Sequence, residues 1–229
     1  MIYLTGDTHG TIEIGKLSRA NLAVERVEPG EGDFVIILGD FGLVFAPDGQ
    51  SAEERWWLKW LDEKPWTTLF IDGNHENFAR LNALPEEEWR GGRVHRVSES
   101  VLHLMRGQIF EIDGRSFFTM GGAASHDRQF RKEGRSWWPE ELPSEEELAR
   151  ADAALDGCGR RVDYVLTHCA PTLVQGRINP TFLPDRLTEY LQHVRDTTAF
   201  HRWYFGHYHI DREYDDGFCA LYDCVLPIE

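Results

Sequence analysis

The stretch FVIILGDFG, residues 34–42, contains the pattern that decides the fold of this chain. Its five apolar residues are typical of a buried β-strand, and Gly39 and Asp40 follow where that strand should end. The same arrangement, an apolar run followed by a glycine or a polar residue, recurs along the chain. The further runs are IYLT (2–5), TLFI (68–71), VDYVLT (162–167) and RWYF (202–205).

Helical patterns alternate with these strands. They are SAEERWWLKWLDE (51–63), SEEELARADAALD (144–156) and DRLTEYLQHVRD (185–196). The first two begin with a serine three residues before a glutamate, which is the spacing of a capping box. Residues 101–122 instead favour consecutive strands, with Asp113 and Gly114 as a tight hairpin turn. Strand–helix alternation at both ends with a hairpin between them predicts two packed sheets with helices outside.

Polar side chains follow five of the predicted strands. They are Asp7, His9, Asp40, Asn74, His75, His168, His207 and His209. Ligands of open α/β sheets bind at the carboxyl ends of the strands. Each fragment alone is more typical of an ordinary turn or a surface histidine. Their recurrence at five strand ends indicates a metal site. His207 and His209 are two positions apart, so an extended backbone would place both imidazoles on one side.

Five short motifs occur in a fixed order: GDTHG (6–10), GDFG (39–42), GNHE (73–76), THCAP (167–171) and GHYH (206–209). Together they resemble the calcineurin-like metallophosphoesterase superfamily over residues 6–209. The resemblance implies one domain over residues 1–229. Its implied fold is a four-layer α/β/β/α sandwich, with two mixed sheets flanked by helices. It also implies two divalent metal ions at the strand ends.

The same resemblance implies a role for each candidate residue. Asp7, His9 and His209 would hold one ion, Asn74, His168 and His207 would hold the other, and Asp40 would bridge both. His75 would contact the phosphate and protonate the leaving oxygen. Imidazole and oxygen ligands suit Mn, Fe or Zn, and Mn is the first expectation. Two such ions about 4 Å apart can share a hydroxide that attacks a phosphate ester.

The chain departs from the family pattern after its second motif. Many relatives continue it as GDxxD or GDxxxR, whereas Leu43 and Val44 stand here. Residues 121–144, which we call the basic segment, could supply the missing polar group. We expect Arg128 to contact phosphate, because it follows a Gly-Gly at a strand end. Arg131, Lys132 and Arg135 are expected to be solvated. The paired tryptophans of the segment, Trp137 and Trp138, either pack locally or form a wall of the cleft.

Composition limits the functional classes. The 229 residues are 41% hydrophobic and carry a formal charge of −15, which opposes broad binding to long duplex nucleic acid or to an anionic membrane. No apolar run approaches the roughly 20 residues of a membrane span. Met1 is not followed by an export signal, so a cytoplasmic location is expected. The four cysteines lack CxxC spacing and are expected to be buried free thiols.

The expected function is hydrolysis of a phosphate ester, and a small phosphodiester is the favoured substrate. Two alternatives remain within the sequence evidence. One is a phosphomonoesterase, including a protein Ser/Thr phosphatase. The other is a metal-binding scaffold of the same fold that does not turn over substrate. The filled ligand positions argue against the scaffold, and the sequence leaves the oligomeric state open.

Overall fold

The strands and helices were assigned from a computed structural model, which describes residues 1–228. The strands are β1 (Ile2–Thr5), β2 (Phe34–Leu38), β3 (Thr67–Ile71), β4 (Glu86–Trp89), β5 (Gly92–Arg96), β6 (Val101–Leu104), β7 (Gln108–Ile112), β8 (Arg115–Met120), β9 (Tyr164–Thr167), β10 (Arg202–Phe205), β11 (Arg212–Glu213), β12 (Phe218–Ala220) and β13 (Val225–Ile228). The helices are α1 (Arg19–Glu25), α2 (Ala52–Asp62), α3 (Phe78–Leu81), α4 (Glu145–Gly157), α5 (Thr172–Ile178) and α6 (Arg186–Thr197).

The strands form two mixed sheets. The first has the order β13-β1-β2-β3-β6-β5-β4, and its four inner strands β1, β2, β3 and β6 are parallel. The second has the order β11-β12-β10-β9-β8-β7, in which β12, β10, β9 and β8 are parallel. Antiparallel strands lie at the edges of both sheets. The two mixed sheets expected from the sequence are confirmed.

Three apolar clusters separate four layers. Side chains of a strand point alternately to its two faces, and β2 illustrates this. Ile36 and Leu38 lie in a cluster with residues of both sheets, including Phe117 of β8. Val35 and Ile37 lie in a second cluster with residues of α1 and α2. A third cluster joins the outer face of the second sheet to α4, α5 and α6. The arrangement is therefore the predicted α/β/β/α sandwich.

The three helices expected from the sequence are present as α2, α4 and α6, within one residue of their predicted bounds. Both predicted capping boxes form, since Ser51 accepts from the backbone N–H of Glu54 and Ser144 from that of Glu147. Asp185 and Thr188 make a third capping box at α6 that the sequence analysis did not name.

The central region was predicted only in part. Asp113 and Gly114 have φ angles of 50° and 72° and join β7 to β8, as a tight hairpin turn requires. However, β6 pairs with β3 in the first sheet, whereas β7 belongs to the second. The chain therefore crosses between sheets after Leu104. The hairpin of β4 and β5 was missed, because the half-exposed edge strand EEEW has no apolar periodicity.

Two further expectations can be compared with the structure. The described cysteines are free thiols. Cys169 and Cys219 are buried as expected, whereas Cys158 is exposed and Cys224 is half-buried, so the expectation of buried thiols was wrong for those two. Among the described residues, no helix combines the length and the apolar character needed to cross a bilayer.

Candidate metal centre

The carboxyl ends of the parallel strands of both sheets meet at one edge of the sandwich. Backbone hydrogen bonds fasten the loops there: Thr8 N–H donates to the Asp40 carbonyl, and Gly206 N–H donates to the His168 carbonyl. Three overlapping groups of side chains lie at this edge, and the ligand atoms of each group are within 4.8 Å of one another. The groups are Asp7, His9 and His209; His9, Asp40 and His75; and Asp40, His168 and His207.

Asp40 belongs to two of these groups, and its two oxygens face different imidazoles. Oδ2 is 3.3 Å from Nε2 of His9, and Oδ1 is 3.4 Å from Nε2 of His168. The backbone N–H of His75 donates to Oδ1 at 2.7 Å, which fixes the carboxylate in this orientation. A carboxylate placed in this way can contribute one oxygen to each of two neighbouring cations.

Asp7 contains a buried oxygen that fits a cation. Its side chain is fully buried, and Oδ1 accepts a hydrogen bond from the backbone N–H of His207 at 2.9 Å. Within the described residues no hydrogen bond reaches Oδ2, although Nε2 of His209 is 3.1 Å away. Buried carboxylate oxygens normally have a partner. An oxygen and an imidazole nitrogen that face each other in this way are suited to share a metal ion.

Two imidazoles are oriented by partners on their far side. Nδ1 of His168 is 2.7 Å from the Leu38 carbonyl, which can only accept, so Nδ1 carries the proton in that bond. Nε2 is then directed at Oδ1 of Asn74, 3.3 Å away, and at Asp40. His9 is held similarly, with Nδ1 3.0 Å from Oε2 of Glu13. Such partners fix the ring and the tautomer of metal-ligating histidines.

Asn74 presents its oxygen to the same space. Its amide nitrogen donates to Oγ of Ser125 at 3.2 Å, which directs Oδ1 toward His168. Because the Asn74 side chain is buried, this orientation is held by packing as well as by the hydrogen bond. All seven residues expected to hold metal are thus brought to one edge.

The electrostatic field at this edge attracts cations. Burial lowers the pKa of His168, but the charges of Asp40 and Asp7 outweigh that effect and raise it to about 10. In Asp40, burial acts to raise the pKa, yet the His168 charge and hydrogen bonds hold it well below its usual range. The Asp40 carboxylate therefore stays ionised and stabilises positive charge beside it, whether on His168 or on a metal ion.

Backbone strain is concentrated at the same residues. Four of the non-glycine residues with positive φ are His9 (40°), Asp40 (47°), His207 (67°) and His209 (50°). The left-handed region costs an L-residue roughly 1–2 kcal/mol. Such strain persists where the surrounding structure imposes it and is typical of functional sites.

Glycines before the ligands permit their close approach. Gly39 has a φ of 96°, and a Cβ there would lie 2.1 Å from Nδ1 of His168. At Gly206 a Cβ would lie 2.3 Å from Oδ1 of Asp7. A side chain at either position would displace a ligand, which explains why Gly-Asp and Gly-His pairs follow these strands.

Comparison with protein-family models agrees with this geometry. The model described as calcineurin-like phosphoesterase matches residues 1–211, which is most of the 229-residue chain. The chain belongs to the calcineurin-like phosphoesterase family. The family comprises hydrolases that act on phosphate esters with divalent metal ions, so this protein is a metal-dependent phosphoesterase. A comparison with curated proteins gave no significant match.

In this calcineurin-like phosphoesterase the basic segment lies beside His75, and one of its arginines is not placed as expected. Arg128 is exposed, and its guanidinium carbon is 5.0 Å from the Trp137 ring centroid. Arg131 contacts the site instead, with Nη2 3.1 Å from Nε2 of His75. Its side chain is 14% exposed, so the expectation that Arg131 is solvated was wrong. No periodicity marks one arginine of this segment over another.

Trp138 of the basic segment forms part of the wall beside the site. Its side chain is buried, and its ring meets that of Phe45 edge-to-face with centroids 6.1 Å apart. The Phe45 ring is in turn 6.2 Å from that of His75. Aromatic packing therefore continues from the basic segment to the phosphoesterase site.

Two further residues of the phosphoesterase site were missed in the sequence. Tyr222 stacks on His209 with ring centroids 4.5 Å apart and an interplanar angle of 14°. Its hydroxyl donates to Oε1 of Glu13 at 3.0 Å, and Oε2 of the same carboxylate is bound to His9. Glu13 follows His9 by four residues, a spacing that could have suggested the pair. Tyr222 lies near the other end of the chain and has no comparable signal.

Proposed function

We propose that this phosphoesterase binds two divalent ions and hydrolyses a small phosphodiester. Asp7, His9 and His209 would hold one ion, Asn74, His168 and His207 the other, and Asp40 both. The observation that carries the proposal is the position of the Asp40 carboxylate, whose two oxygens face imidazoles of two different groups. When bound, the ions would activate a water molecule and neutralise charge on the phosphoryl group. The donor set of nitrogen and oxygen suits Mn, Fe or Zn, and Mn is the ion we propose.

His75 is the proposed source of the proton for the leaving oxygen. Its ring centroid is 5.2 Å from that of His9, so the imidazole faces the same space as the proposed ligands. Its backbone N–H is bound to Asp40, which ties the ring position to the bridging carboxylate. A side chain that lies beside the proposed ligands without being one of them could bind the phosphate and move a proton.

The substrate class is tested by a pair of model esters. Bis-p-nitrophenyl phosphate and p-nitrophenyl phosphate would be compared on protein loaded with Mn²⁺, Fe²⁺ or Zn²⁺. We expect the diester to give the higher kcat/KM. Faster turnover of the monoester would favour the phosphomonoesterase alternative, and phosphopeptides would then be the next substrates to test. Hydrolysis of neither ester by protein with bound metal would favour the scaffold.

Replacing His75 with alanine should separate chemistry from metal binding. We expect His75→Ala to keep its metal and to lose roughly 10²–10⁴ in kcat, because a positioned general acid contributes about that factor. The loss should be smaller for esters whose leaving group is already acidic. The measurement is kcat across diesters with leaving groups of graded pKa. Equal losses across the series would assign His75 to phosphate positioning alone.

Glu13→Gln should weaken the ion held by His9. The amide keeps the shape of the carboxylate but accepts less strongly from Nδ1 of His9, so the imidazole becomes a poorer ligand. Loss of such a partner typically reduces metal affinity or activity by about 10–100-fold. Tyr222→Phe is the matched control, since it removes the hydroxyl bound to Oε1 and leaves Oε2 on His9. Metal titration of both variants should show the larger loss in Glu13→Gln; equal or absent losses would contradict this role.

A further inference from the structure

We propose that Arg131 binds a phosphoryl oxygen of the substrate and replaces the polar group that the second motif lacks. The inference rests on the proposed function and adds a residue from the basic segment to the site. It assigns the phosphate contact to Arg131, whereas the sequence favoured Arg128 for that contact. Three observations support the inference. They are the contact of Arg131 with His75, the contacts that hold its guanidinium, and the apolar residues at the end of the second motif.

The guanidinium of Arg131 is held by other groups of the same segment. Its Nε is 2.6 Å from Oδ1 of Asp127, and Nη1 donates to the Ser136 carbonyl at 3.2 Å. These two contacts occupy Nε and Nη1, and Nη2 is directed at His75. A cation held in this way loses little conformational entropy when it binds a ligand, because the fork is already oriented.

The contact between Arg131 and His75 is where an oxyanion would fit. An arginine side chain has five N–H donors and no acceptor. Nη2 therefore donates to Nε2 of His75, 3.1 Å away. A phosphoryl oxygen at this edge of the guanidinium could accept a hydrogen bond from Nη2 of Arg131 while it lies against the His75 imidazole. Charge-assisted bonds of this kind are the strong ones.

The second motif cannot supply an equivalent group. Leu43 and Val44, which stand where many relatives have an acid or an arginine, are both buried in the apolar cluster beneath the first sheet. Their side chains face the core and not the site. Among the cations of the basic segment, Lys132 and Arg135 are exposed, and Arg128 lies against Trp137. Arg131, by contrast, contacts His75 of the proposed site.

Arg131 takes no part in bond making or breaking in this proposal. Its guanidinium supplies a fixed positive charge and hydrogen-bond donors. It would orient the phosphoryl group and stabilise the negative charge on a nonbridging oxygen while the ester bond breaks. Loss of one such contact should affect the binding of any phosphoryl oxyanion, including the product orthophosphate.

The test uses the full chain loaded with Mn²⁺ and two readouts. Orthophosphate affinity is measured by calorimetry, and kcat/KM is measured with bis-p-nitrophenyl phosphate. Arg131→Ala should weaken orthophosphate binding and lower kcat/KM by about tenfold or more, as expected from one charged hydrogen bond. Arg131→Lys should recover part of the loss, since it keeps the charge without the fork. Arg131→Gln provides a variant of similar length if alanine disturbs folding. Metal content should be unchanged in all three.

Arg135→Ala is the matched control, because it removes the same charge from an exposed position of the same segment. Equal behaviour of Arg131→Ala and Arg135→Ala would overturn the inference. So would a loss of metal from the Arg131 variants, or a loss of orthophosphate binding confined to Arg128→Ala. If the metal-loaded wild type hydrolyses no ester but Arg131→Ala still weakens orthophosphate binding, the inference stands and the proposed function fails.

Discussion

Replacing Asp40 with asparagine is expected to abolish phosphoester hydrolysis and to weaken metal binding at both positions. Oδ1 and Oδ2 of Asp40 face His168 and His9 respectively, so one amide nitrogen would replace an oxygen toward one of the two ions. The substitution also removes the charge that the two proposed ions would share. Asparagine tolerates the positive φ of 47° about as well as aspartate does, so the backbone should be retained.

The measurement for Asp40→Asn is turnover together with metal content after exhaustive dialysis. Asn74→Ala is the comparison, because Asn74 faces only the His168 side of the site and should mainly weaken one ion. Thermal unfolding of both variants checks that the sandwich is intact. Near-normal turnover by Asp40→Asn would show that the bridging assignment is wrong.

Removing the metal should reduce phosphoester hydrolysis about as strongly as Asp40→Asn does. Treatment with EDTA is expected to abolish activity, and Mn²⁺ is expected to restore it best. Fully loaded protein should contain about two divalent ions per chain, since the proposed ligand set is divided between two adjacent positions. The side chains alone cannot replace this chemistry, because no carboxylate or imidazole neutralises the phosphoryl charge as a divalent ion does.

Elemental analysis of active protein is the measurement for metal dependence. Metal-free and reloaded samples should also differ in melting temperature, because an ion that binds the folded state stabilises it by mass action. The buried carboxylates of Asp7 and Asp40 would repel each other less once the ions are bound. Fully active protein that contains no metal would contradict both this prediction and the proposed function.

The sequence alone predicted the elements that carry local signals. The apolar run 34–38 predicted β2, and the serine–glutamate spacing predicted the starts of α2 and α4. These patterns are short-range, since strand alternation and capping depend on residues within one turn or one strand. The candidate ligands were also found locally, because each follows its strand within a few residues. Parallel strands then bring their carboxyl ends to one edge, which is a general property of such sheets.

The pairing of the central strands needed the tertiary structure. β6 and β7 are separated by three residues, yet β6 pairs with β3 and β7 pairs with β8 in the other sheet. An apolar strand pattern shows that a strand is buried but not which sheet buries it. The hairpin of β4 and β5 was not predicted, for a different reason. An edge strand exposed to solvent needs no apolar alternation.

Contacts between distant parts of the chain were likewise decided by the fold. Arg128 and Arg131 are equivalent in sequence, but the path of the basic segment directs one guanidinium onto Trp137 and the other onto His75. Tyr222 reaches His209 and Glu13 because β13 lies beside β1 in the first sheet. Local sequence therefore determined which residue types stand at the strand ends. The packing of loops from separate elements decided which of the remaining side chains touch them, because that packing depends on the whole fold.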